Sequence, residues 1–416
     1  MVRPGYKQTE VGVIPEDWEI RFIEDIGCVR SGKRLPLGHS LKDEETPYPY
    51  IRVSDMRPGT VAMSNIHFVP EGTYPSIKDY RIFREDIFIS VAGTLGIVGI
   101  VPKELDGANL TENADRITNI RCSRDYLLYV LTSPLIQRTI DSIRTVGAQP
   151  KLALTRLRKF IIPLPPTEAE QEAIASALSD ADALIESLER LIAKKRDIKQ
   201  AAMQELLTGR KRLPGFEGAW VTKRLGEMGN FFKGSGVKKD DAQSGDLPCV
   251  RYGEIYTTHH NCIKEFSSWI SREVADGATR IRCGDILFAG SGETKEEIGK
   301  CVALVGSEEA FAGGDIIVLR PKEACSAFLG YYLNTAPINR QKASLGQGDA
   351  IVHISSAALA NIEVSIPESI GEQNAIAEVL LSMDIEIAAL GEKMSKVQNT
   401  KQGMMQELLT GRIRLV

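Results

Sequence analysis

Two nearly identical stretches, "KQAAMQELLTGR" at residues 199–210 and "KQGMMQELLTGR" at residues 401–412, decide the organisation of this 416-residue chain. Ten of the twelve letters agree across an offset of 202 residues. A second pair keeps the same offset, with "EQEAIA" from Glu170 matching "EQNAIA" from Glu372. Similarity at a fixed offset indicates a repeated structural unit. The chain is therefore predicted to be a tandem duplication.

Each repeat has two parts of different character. The first contains short β-branched and aromatic runs bounded by Gly, Pro, Asn and Asp, such as "DIFISVAG" and "DIIVLRP", which predict strands and turns. The second has few Gly or Pro residues, and Thr167 stands where it can cap the start of a helix. These patterns predict β-rich domains at residues 1–166 (head 1) and 214–366 (head 2), and helical segments at residues 167–213 and 367–416.

Both helical segments carry a heptad seam, in which apolar residues recur alternately four and three positions apart. The seam residues are Ile174, Leu178, Ala181, Ile185, Leu188 and Ile192 in the first helix, and Ile376, Leu380, Met383, Ile387, Leu390 and Met394 in the second. The same spacing continues through Lys195 and Lys199 in the first helix and through Val397 and Lys401 in the second. The first helix ends where head 2 begins and the second begins where head 2 ends, so the two helices are predicted to pack antiparallel.

The predicted fold class is α+β: two β-rich globular domains separated by two long antiparallel helices that form a coiled coil. The repeat predicts a pseudo-twofold axis and a dumbbell shape. Gly209 and Gly411 follow the last apolar residues of the helices and are expected to end them.

Composition excludes several classes of protein. No apolar run approaches the roughly 20 residues of a membrane-spanning helix, and the N-terminal residues lack the apolar stretch of a signal peptide, so we expect a cytoplasmic protein without membrane contact. The seven cysteines are scattered and are expected to be buried, free thiols. A net charge of −4 does not itself indicate nucleic acid binding, so a DNA-binding surface would need basic residues concentrated on one face.

Two groups of residues could support catalysis or metal binding. Asp285, Glu293 and Lys295 have the Asp…Glu-x-Lys arrangement with which nucleases hold a metal ion and orient water, although the set is absent from the first repeat. His259 and His260 precede Cys262 but lack a fourth ligand at a usual spacing, so exposed loop histidines are the simpler interpretation. We therefore predict no catalytic, cofactor-binding or metal-binding residues in this chain.

The helix starts "IPLPPTEAEQEAIA" and "IPESIGEQNAIA", the ends "MQELLTGR" and the N-terminal "KQTEVGVIPEDWE" together resemble the specificity subunit of a Type I restriction-modification system. The resemblance covers the whole chain. It implies that heads 1 and 2 are target recognition domains, each binding one half of a bipartite asymmetric site in double-stranded DNA. The second helix start lacks the double proline of the first, which leaves the position of that start open.

The resemblance also implies partners and cofactors. The helices would set the distance between half-sites and dock two methyltransferase (modification) subunits, while motor-endonuclease (restriction) subunits complete the complex. S-adenosylmethionine, ATP and magnesium would belong to those partners. This chain would supply specificity without catalysis.

Candidate DNA-contacting residues follow from chemistry, because Arg, Gln and Asn bind base edges and Lys, Ser and Thr bind phosphates. In head 1 the candidates are Arg30, Lys33, Arg34, Arg52, Thr94, Gln149 and Lys151. In head 2 they are Lys233, Ser235, Lys238, Arg251, Thr294, Lys295 and Gln347. Each could instead be a structural turn residue, and Arg52 and Arg251 could form salt bridges.

Two other functions remain open from sequence. A rigid dumbbell could be an adaptor that binds other proteins, or the chain could be a stand-alone nuclease that uses Asp285, Glu293 and Lys295. DNA binding differs from protein binding in its steep loss of affinity with salt. Mutation of Glu293 tests the nuclease hypothesis.

Overall fold

The structure, a computed structural model, describes residues 3–143, 151–306, 309–348 and 351–415. The chain forms two compact units: unit 1 comprises Met1–Glu189 with Glu392–Val416, and unit 2 comprises Arg190–Gly391. Each unit thus combines one head with a segment of each predicted helix. Within the described ranges, no helix is both long enough and apolar enough to span a membrane.

Head 1 consists of short strands and helices, because Gly, Pro, Asn and Asp interrupt its apolar runs every few residues. The strands are β1 (Tyr6–Thr9), β2 (Gly12–Pro15), β3 (Glu19–Phe22), β4 (Cys28–Ser31), β5 (Pro49–Ile51), β6 (Met56–Arg57), β7 (Thr60–Val61), β8 (His67–Phe68), β9 (Arg81–Ile82), β10 (Ile87–Ser90), β11 (Val98–Ile100), β12 (Ala108–Leu110), β13 (Ala114–Thr118) and β14 (Ile161–Leu164). The helices are α1 (Ile23–Ile26), α2 (Arg124–Thr132), α3 (Pro134–Ser142) and α4 (Leu154–Arg158), and the long helix α5 (Glu168–Leu206) follows.

The main sheet of head 1 is antiparallel, in the order β11-β10-β13-β4, and a second sheet has the order β8-β5-β12-β9 with β5 and β12 parallel. Strand β10 is buried along its whole length. Because side chains alternate along a strand, Ile87 and Ile89 pack on one face in the same cluster as helix α2. Phe88 packs on the other face, against the second sheet. The core of head 1 therefore lies on both faces of its main sheet.

Head 2 repeats this design in the second half of the chain. Its strands are β15 (Trp220–Arg224), β16 (Gly229–Lys233), β17 (Leu247–Val250), β18 (Asn261–Ile263), β19 (Ser268–Ile270), β20 (Thr279–Ile281), β21 (Ile286–Ala289), β22 (Ser291–Gly292), β23 (Cys301–Leu304), β24 (Ala310–Ala312), β25 (Ile316–Pro321), β26 (Val352–His353) and β27 (Glu363–Pro367). Its helices are α6 (Tyr252–Thr257), α7 (Arg272–Asp276), α8 (Ser326–Tyr332), α9 (Ala336–Leu345) and α10 (Ser356–Ala360), and the long helix α11 (Ile370–Leu408) follows.

The main sheet of head 2 has the order β16-β25-β21-β23-β18, and the second sheet has the order β19-β17-β24-β20. Strand β21 takes the place of β10, with Ile286 and Phe288 in one apolar cluster and Leu287 in another. The parallel pair β17 and β24 corresponds to β5 and β12. Strand β18 is an addition at the edge, parallel to β23. The predicted sequence duplication is therefore a duplication of the fold.

The long helices are shared between the units. Helix α5 contributes residues 168–189 to unit 1 and residues 190–206 to unit 2, and α11 contributes residues 370–391 to unit 2 and 392–408 to unit 1. In unit 2, Lys199 pairs with Asp384 and Lys195 pairs with Glu386. Residue numbers thus rise along one helix as they fall along the other. The predicted antiparallel packing is confirmed for this unit.

All twelve seam residues named from the sequence are buried or partly buried, as a heptad seam requires. Both helices have 39 residues, and α11 begins at Ile370. The Oγ atom of Ser369 accepts a hydrogen bond from a backbone N–H of the first turn, as Thr167 Oγ1 does at α5. Ser369 therefore replaces the Thr cap, and the shorter segment starts its helix at the equivalent position. Gly209 and Gly411 follow the helices with φ of 69° and 67°, as expected for ending residues.

The seven cysteines are all free thiols, as predicted. The prediction that they are buried holds for Cys249, Cys262 and Cys301 but is wrong for Cys28 and Cys283, which are exposed. Cys28 begins edge strand β4 of the main sheet, and Cys283 lies in the turn before β21. An edge or turn position leaves a side chain open to water even within a compact head.

Candidate nucleic-acid interface

Three loops of head 1 leave the same end of its main sheet. Strand β10 ends at Ser90 opposite the first residue of β13, and β4 ends at Ser31 opposite Asp115. The loop after β4 is held there by backbone bonds from Gly32 N to Ala114 O (3.0 Å) and from Lys33 N to Leu110 O (2.8 Å). The loop after β10 and the loop before β13 emerge beside it. Candidate residues from distant parts of the sequence are thereby placed at one edge.

Basic side chains accompany the loop after β4. Arg30 is exposed on β4, opposite Arg116. The ammonium of Lys33 lies 5.6 Å from the centre of the Tyr80 ring and the residue is exposed. Arg34 forms an ion pair with Glu112 (2.9 Å), yet 76% of its side chain remains accessible. These guanidinium and ammonium groups are therefore available to a phosphate.

The loop after β10 and the segment after α3 also meet. Thr94 is exposed at the tip of the loop. Ala92 forms an isolated antiparallel bridge with Lys151, which is exposed as well. Thr94 and Lys151 therefore lie on neighbouring segments, while Gln149 falls outside the described residues.

Head 2 has the equivalent edge, since Lys233 at the end of β16 and Ala289 at the end of β21 both pair with the start of β25. Thr294 and Lys295 are exposed in the loop after β21. Gln347 is exposed and forms a backbone bridge to His353.

Two further candidates of head 2 lie in the loop after β16. Lys238 is exposed there. Ser235 is already bonded, because its Oγ lies 3.0 Å from Thr279 Oγ1 and donates to Gly277 O at 3.2 Å. Ser235 therefore has a structural role in the loop.

Arg52 and Arg251 each form an ion pair with a carboxylate three residues ahead. Arg52 donates through Nε and Nη2 to Asp55 (3.0 and 2.8 Å), and Arg251 donates through the same atoms to Glu254 (3.0 and 2.8 Å). The bond to Asp55 raises the pKa of Arg52. The geometry supports the salt-bridge interpretation for both arginines, because each guanidinium is occupied in holding a local turn.

The nuclease set is not assembled. Asp285 is fully buried and accepts two hydrogen bonds of 2.7 Å from Arg320, and this bonding raises the pKa of the arginine. It precedes β21, whereas Glu293 and Lys295 follow that strand, so the carboxylates lie at opposite ends. No cluster of His, Cys, Asp and Glu in the described ranges could hold a metal ion.

The histidine interpretation is half correct. His260 is exposed, as expected for a loop residue, but His259 is buried. Burial lowers the pKa of His259.

Comparison with known proteins decides the family. The model of the Type I restriction modification DNA specificity domain matches residues 15–194 and 217–398, once for each repeat. The chain belongs to this family. The MjaX specificity subunit of Methanocaldococcus jannaschii is 26% identical over 441 aligned positions, covering 99% of this chain and 97% of that protein. The type I restriction enzyme MjaVIII specificity subunit of the same organism is 23% identical, with 97% and 94% covered.

Solved structures of the specificity family share the fold. The S subunit of a type I restriction-modification system from M. genitalium aligns with a TM-score of 0.59 and 17% identity, covering 94% of this chain and 96% of that one. A second structure, from a type I R-M system studied for its complex assembly and conformational transition, aligns with a TM-score of 0.57 and 17% identity. It covers 96% of this chain and 99% of that one.

Sequence reasoning missed a buried polar joint that both repeats of this specificity-family chain contain. Gln171 accepts a hydrogen bond from Ser123 N, just before α2, and donates to Pro165 O, just after β14. Gln373 makes the same two bonds to Cys325 N and Pro367 O. The glutamate before each glutamine forms an ion pair with an arginine. Glu170 pairs with Arg414, which follows α11, and Glu372 pairs with Arg212, which follows α5. The "EQ" shared by the repeats was the available signal.

Proposed function

We propose that this chain is the sequence-specific DNA-binding subunit of a Type I restriction-modification complex, and that each head binds one half of a bipartite asymmetric site. The supporting observation is the pair of equivalent sheet edges. Their frames correspond strand by strand, but their loops differ in length and side chains: residues 91–96 read "VAGTLG" and residues 290–299 read "GSGETKEEIG". Two heads with the same strand arrangement but different loops suit two half-sites of different sequence.

The exposed groups at the two edges fit duplex DNA. Lys33, Arg34 and Lys151 of head 1 and Lys233 and Lys238 of head 2 supply positive charge for phosphates. The longer loop of head 2 also carries exposed glutamates, and a carboxylate can accept a hydrogen bond from the amino group of cytosine. The basic residues therefore position the head on the backbone, and the loop after β21 is suited to contact base edges.

The helices in this proposal set the spacing of the half-sites and dock two methyltransferase subunits. Leu191 and Ile198 lie one heptad apart on α5 within unit 2, outside the seam, and both are exposed. Exposed apolar side chains at that spacing suit a partner helix. The partners would carry S-adenosylmethionine, ATP and magnesium, and motor-endonuclease subunits would bind the assembled complex.

The test is to co-express the chain with the methyltransferase subunit encoded beside it and to map N6-methyladenine across the host genome. We expect one interrupted, asymmetric motif. Replacing residues 214–366 by the corresponding domain of a relative should change one half of the motif and leave the other half unchanged. An assembled complex that adds no methylation would contradict the proposal.

Two controls separate the alternatives. Binding of duplex DNA should weaken steeply with salt, because phosphate contacts release counterions, whereas an adaptor has no such DNA binding. Glu293→Gln should leave the purified chain with the same background of DNA cleavage as the unchanged protein. Loss of a genuine cleavage activity in this variant would instead support the nuclease.

A further inference from the structure

In head 1, a side chain of helix α3 holds the end of the loop after β10 by a hydrogen bond. The Nε2 group of Gln137, on helix α3, donates to Gly96 O (3.1 Å) and to Leu131 O (2.9 Å). Gly96 ends the loop and has φ of 81°, so its carbonyl direction depends on a backbone conformation that favours glycine. Gln137 therefore ties the end of the loop to helix α2.

Head 2 holds the equivalent carbonyls with a different residue. The Nζ group of Lys342, on helix α9, donates to Gly299 O (2.8 Å) and to Leu333 O (2.9 Å). Gly299 ends its loop with φ of 70°, and Leu333 follows Leu131 at the offset of 202. The same two backbone positions are thus clamped in both heads.

The donor has changed position while its acceptors have stayed. At the repeat offset, Lys342 occupies the place of buried Ile140, and the place of Gln137 is taken by Asn339. Asn339 donates instead to Asn334 O at 3.0 Å. Two different side chains thus donate to the same pair of carbonyls. This indicates that the structure of each head requires the hydrogen bonds and not one particular donor residue.

The chemistry of both donors fits two acceptors. A glutamine amide has two N–H groups, and a lysine amine has two even when it is uncharged. Lys342 is 1% exposed, and burial lowers its pKa. Its ammonium or amine meets carbonyl oxygens in the interior, so replacing it with an apolar chain would leave two buried acceptors without these donors.

The start of the head 2 loop is fixed as well. Gly290 N donates to Asp315 O (2.7 Å), and Ile354 N donates to Gly290 O (3.0 Å). The hydroxyl of Tyr256 donates to Ser291 O (3.1 Å). Between these bonds and the clamp lie five exposed residues, 293–297, so the tip projects from two held ends.

We propose that Lys342 in head 2 and Gln137 in head 1 are positioning residues that hold the base-contacting loop of their head in its binding conformation. The inference rests on the proposed function. Neither residue contacts DNA in this scheme. Each acts through the carbonyl of the glycine that ends its loop, so each controls the base preference of one half-site.

The experiment selects binding sites from a randomised duplex DNA library with the full chain assembled with its methyltransferase subunits. Lys342→Met removes the two donors and keeps an unbranched apolar stem, and Gln137→Met is the matched variant in head 1. We expect Lys342→Met to reduce the enrichment of preferred bases in one half of the motif by about tenfold. Gln137→Met should do so in the other half only.

Rescue distinguishes positioning from general destabilisation. Asn339→Gln combined with Lys342→Ile gives head 2 the residues of head 1 at these positions and should restore the preferences. Thermal unfolding of every variant establishes that it is folded. A folded Lys342→Met chain with both halves intact, or one that loses both halves equally, overturns the inference. An unchanged chain that selects no motif overturns the proposed function, and that result is obtained before any variant is made.

Discussion

The Tyr331→Phe substitution should weaken unit 2 more than the matched Tyr129→Phe substitution weakens unit 1. Each tyrosine donates its hydroxyl hydrogen bond to an aspartate on a long helix, Tyr331 to Asp384 at 2.5 Å and Tyr129 to Asp182 at 2.9 Å. A lysine of the other long helix binds the second carboxylate oxygen of each aspartate at 2.5 Å. These contacts therefore attach each head to both helix segments of its unit.

The magnitude follows from the exposure of the carboxylates. A hydrogen bond to a charged group contributes about 1.5–3 kcal/mol when water cannot replace it. The Asp384 side chain is 24% exposed and the Asp182 side chain is 45% exposed, so water replaces the lost hydroxyl more readily at Asp182. We expect a loss of about 2 kcal/mol in the free energy of unfolding for Tyr331→Phe and about 1 kcal/mol for Tyr129→Phe.

Hydrogen exchange measured by mass spectrometry on the full chain resolves the two units. A loss of 2 kcal/mol corresponds to about 30-fold faster exchange, and 1 kcal/mol to about fivefold. Peptides from α8 should show the larger change in Tyr331→Phe, and peptides from α2 the smaller change in Tyr129→Phe. In each variant, peptides from the opposite unit provide the reference. Equal changes, or a larger change at α2, would refute the reasoning from solvent exposure.

Three further predictions concern stability. Asp285→Asn breaks the buried pair with Arg320 and should lower the free energy of unfolding in urea by about 3 kcal/mol. This value is near the lower end for such pairs because 32% of the arginine side chain is accessible. An unchanged unfolding midpoint would contradict the prediction. Leu380→Ala, at a fully buried seam position, should lower the free energy of unfolding by about 3 kcal/mol. Ile385 is 61% exposed on the same helix, so Ile385→Ala should lower it by less than about 0.5 kcal/mol. Similar losses in the two variants would contradict the buried seam. Burial lowers the pKa of His259 below its ordinary 6.5, so the unfolded chain binds the extra proton and stability should fall as pH drops below about 6.5. His259→Gln should reduce that slope in thermal unfolding measured from pH 8 to 5, and an identical slope would exclude His259 as its source.

The fold was predictable where one residue type dictates local geometry. Repeat spacing identified the duplication, the heptad identified the seam, and Gly209 and Gly411 marked the helix ends. The seam also contained Lys199 and Lys401, which a purely apolar heptad does not explain. Each lysine pairs with an aspartate of the other helix and lies over the ring of a buried tyrosine. These partners come from distant parts of the chain, so no local pattern explains a charge at a seam position.

The candidate interface was predictable only as a list of chemically suitable residues. Which of them share an edge depends on strand pairing, and the bridge between Ala92 and Lys151 joins segments that no local pattern connects. The same is true of the buried pair of Asp285 and Arg320, which turns a nuclease-like motif into a structural one. The salt bridge of Arg52, by contrast, was one of the alternatives open from the sequence, and Asp55 stands only three residues away.

The near-identity of the two dodecamers follows from where their ends pack. Leu206 and Leu207, at the end of α5, lie in the same core cluster as the residues of head 2. Leu408 and Leu409, at the end of α11, lie in the corresponding cluster of head 1. Each helix end thus completes the core of a head that its own repeat did not supply. Because both heads offer the same packing site, both helix ends need the same side chains, whereas the loops that we propose to contact DNA are free to differ. If a duplicated chain is to bind an asymmetric site, its two repeats must keep the same packing residues but carry different loops.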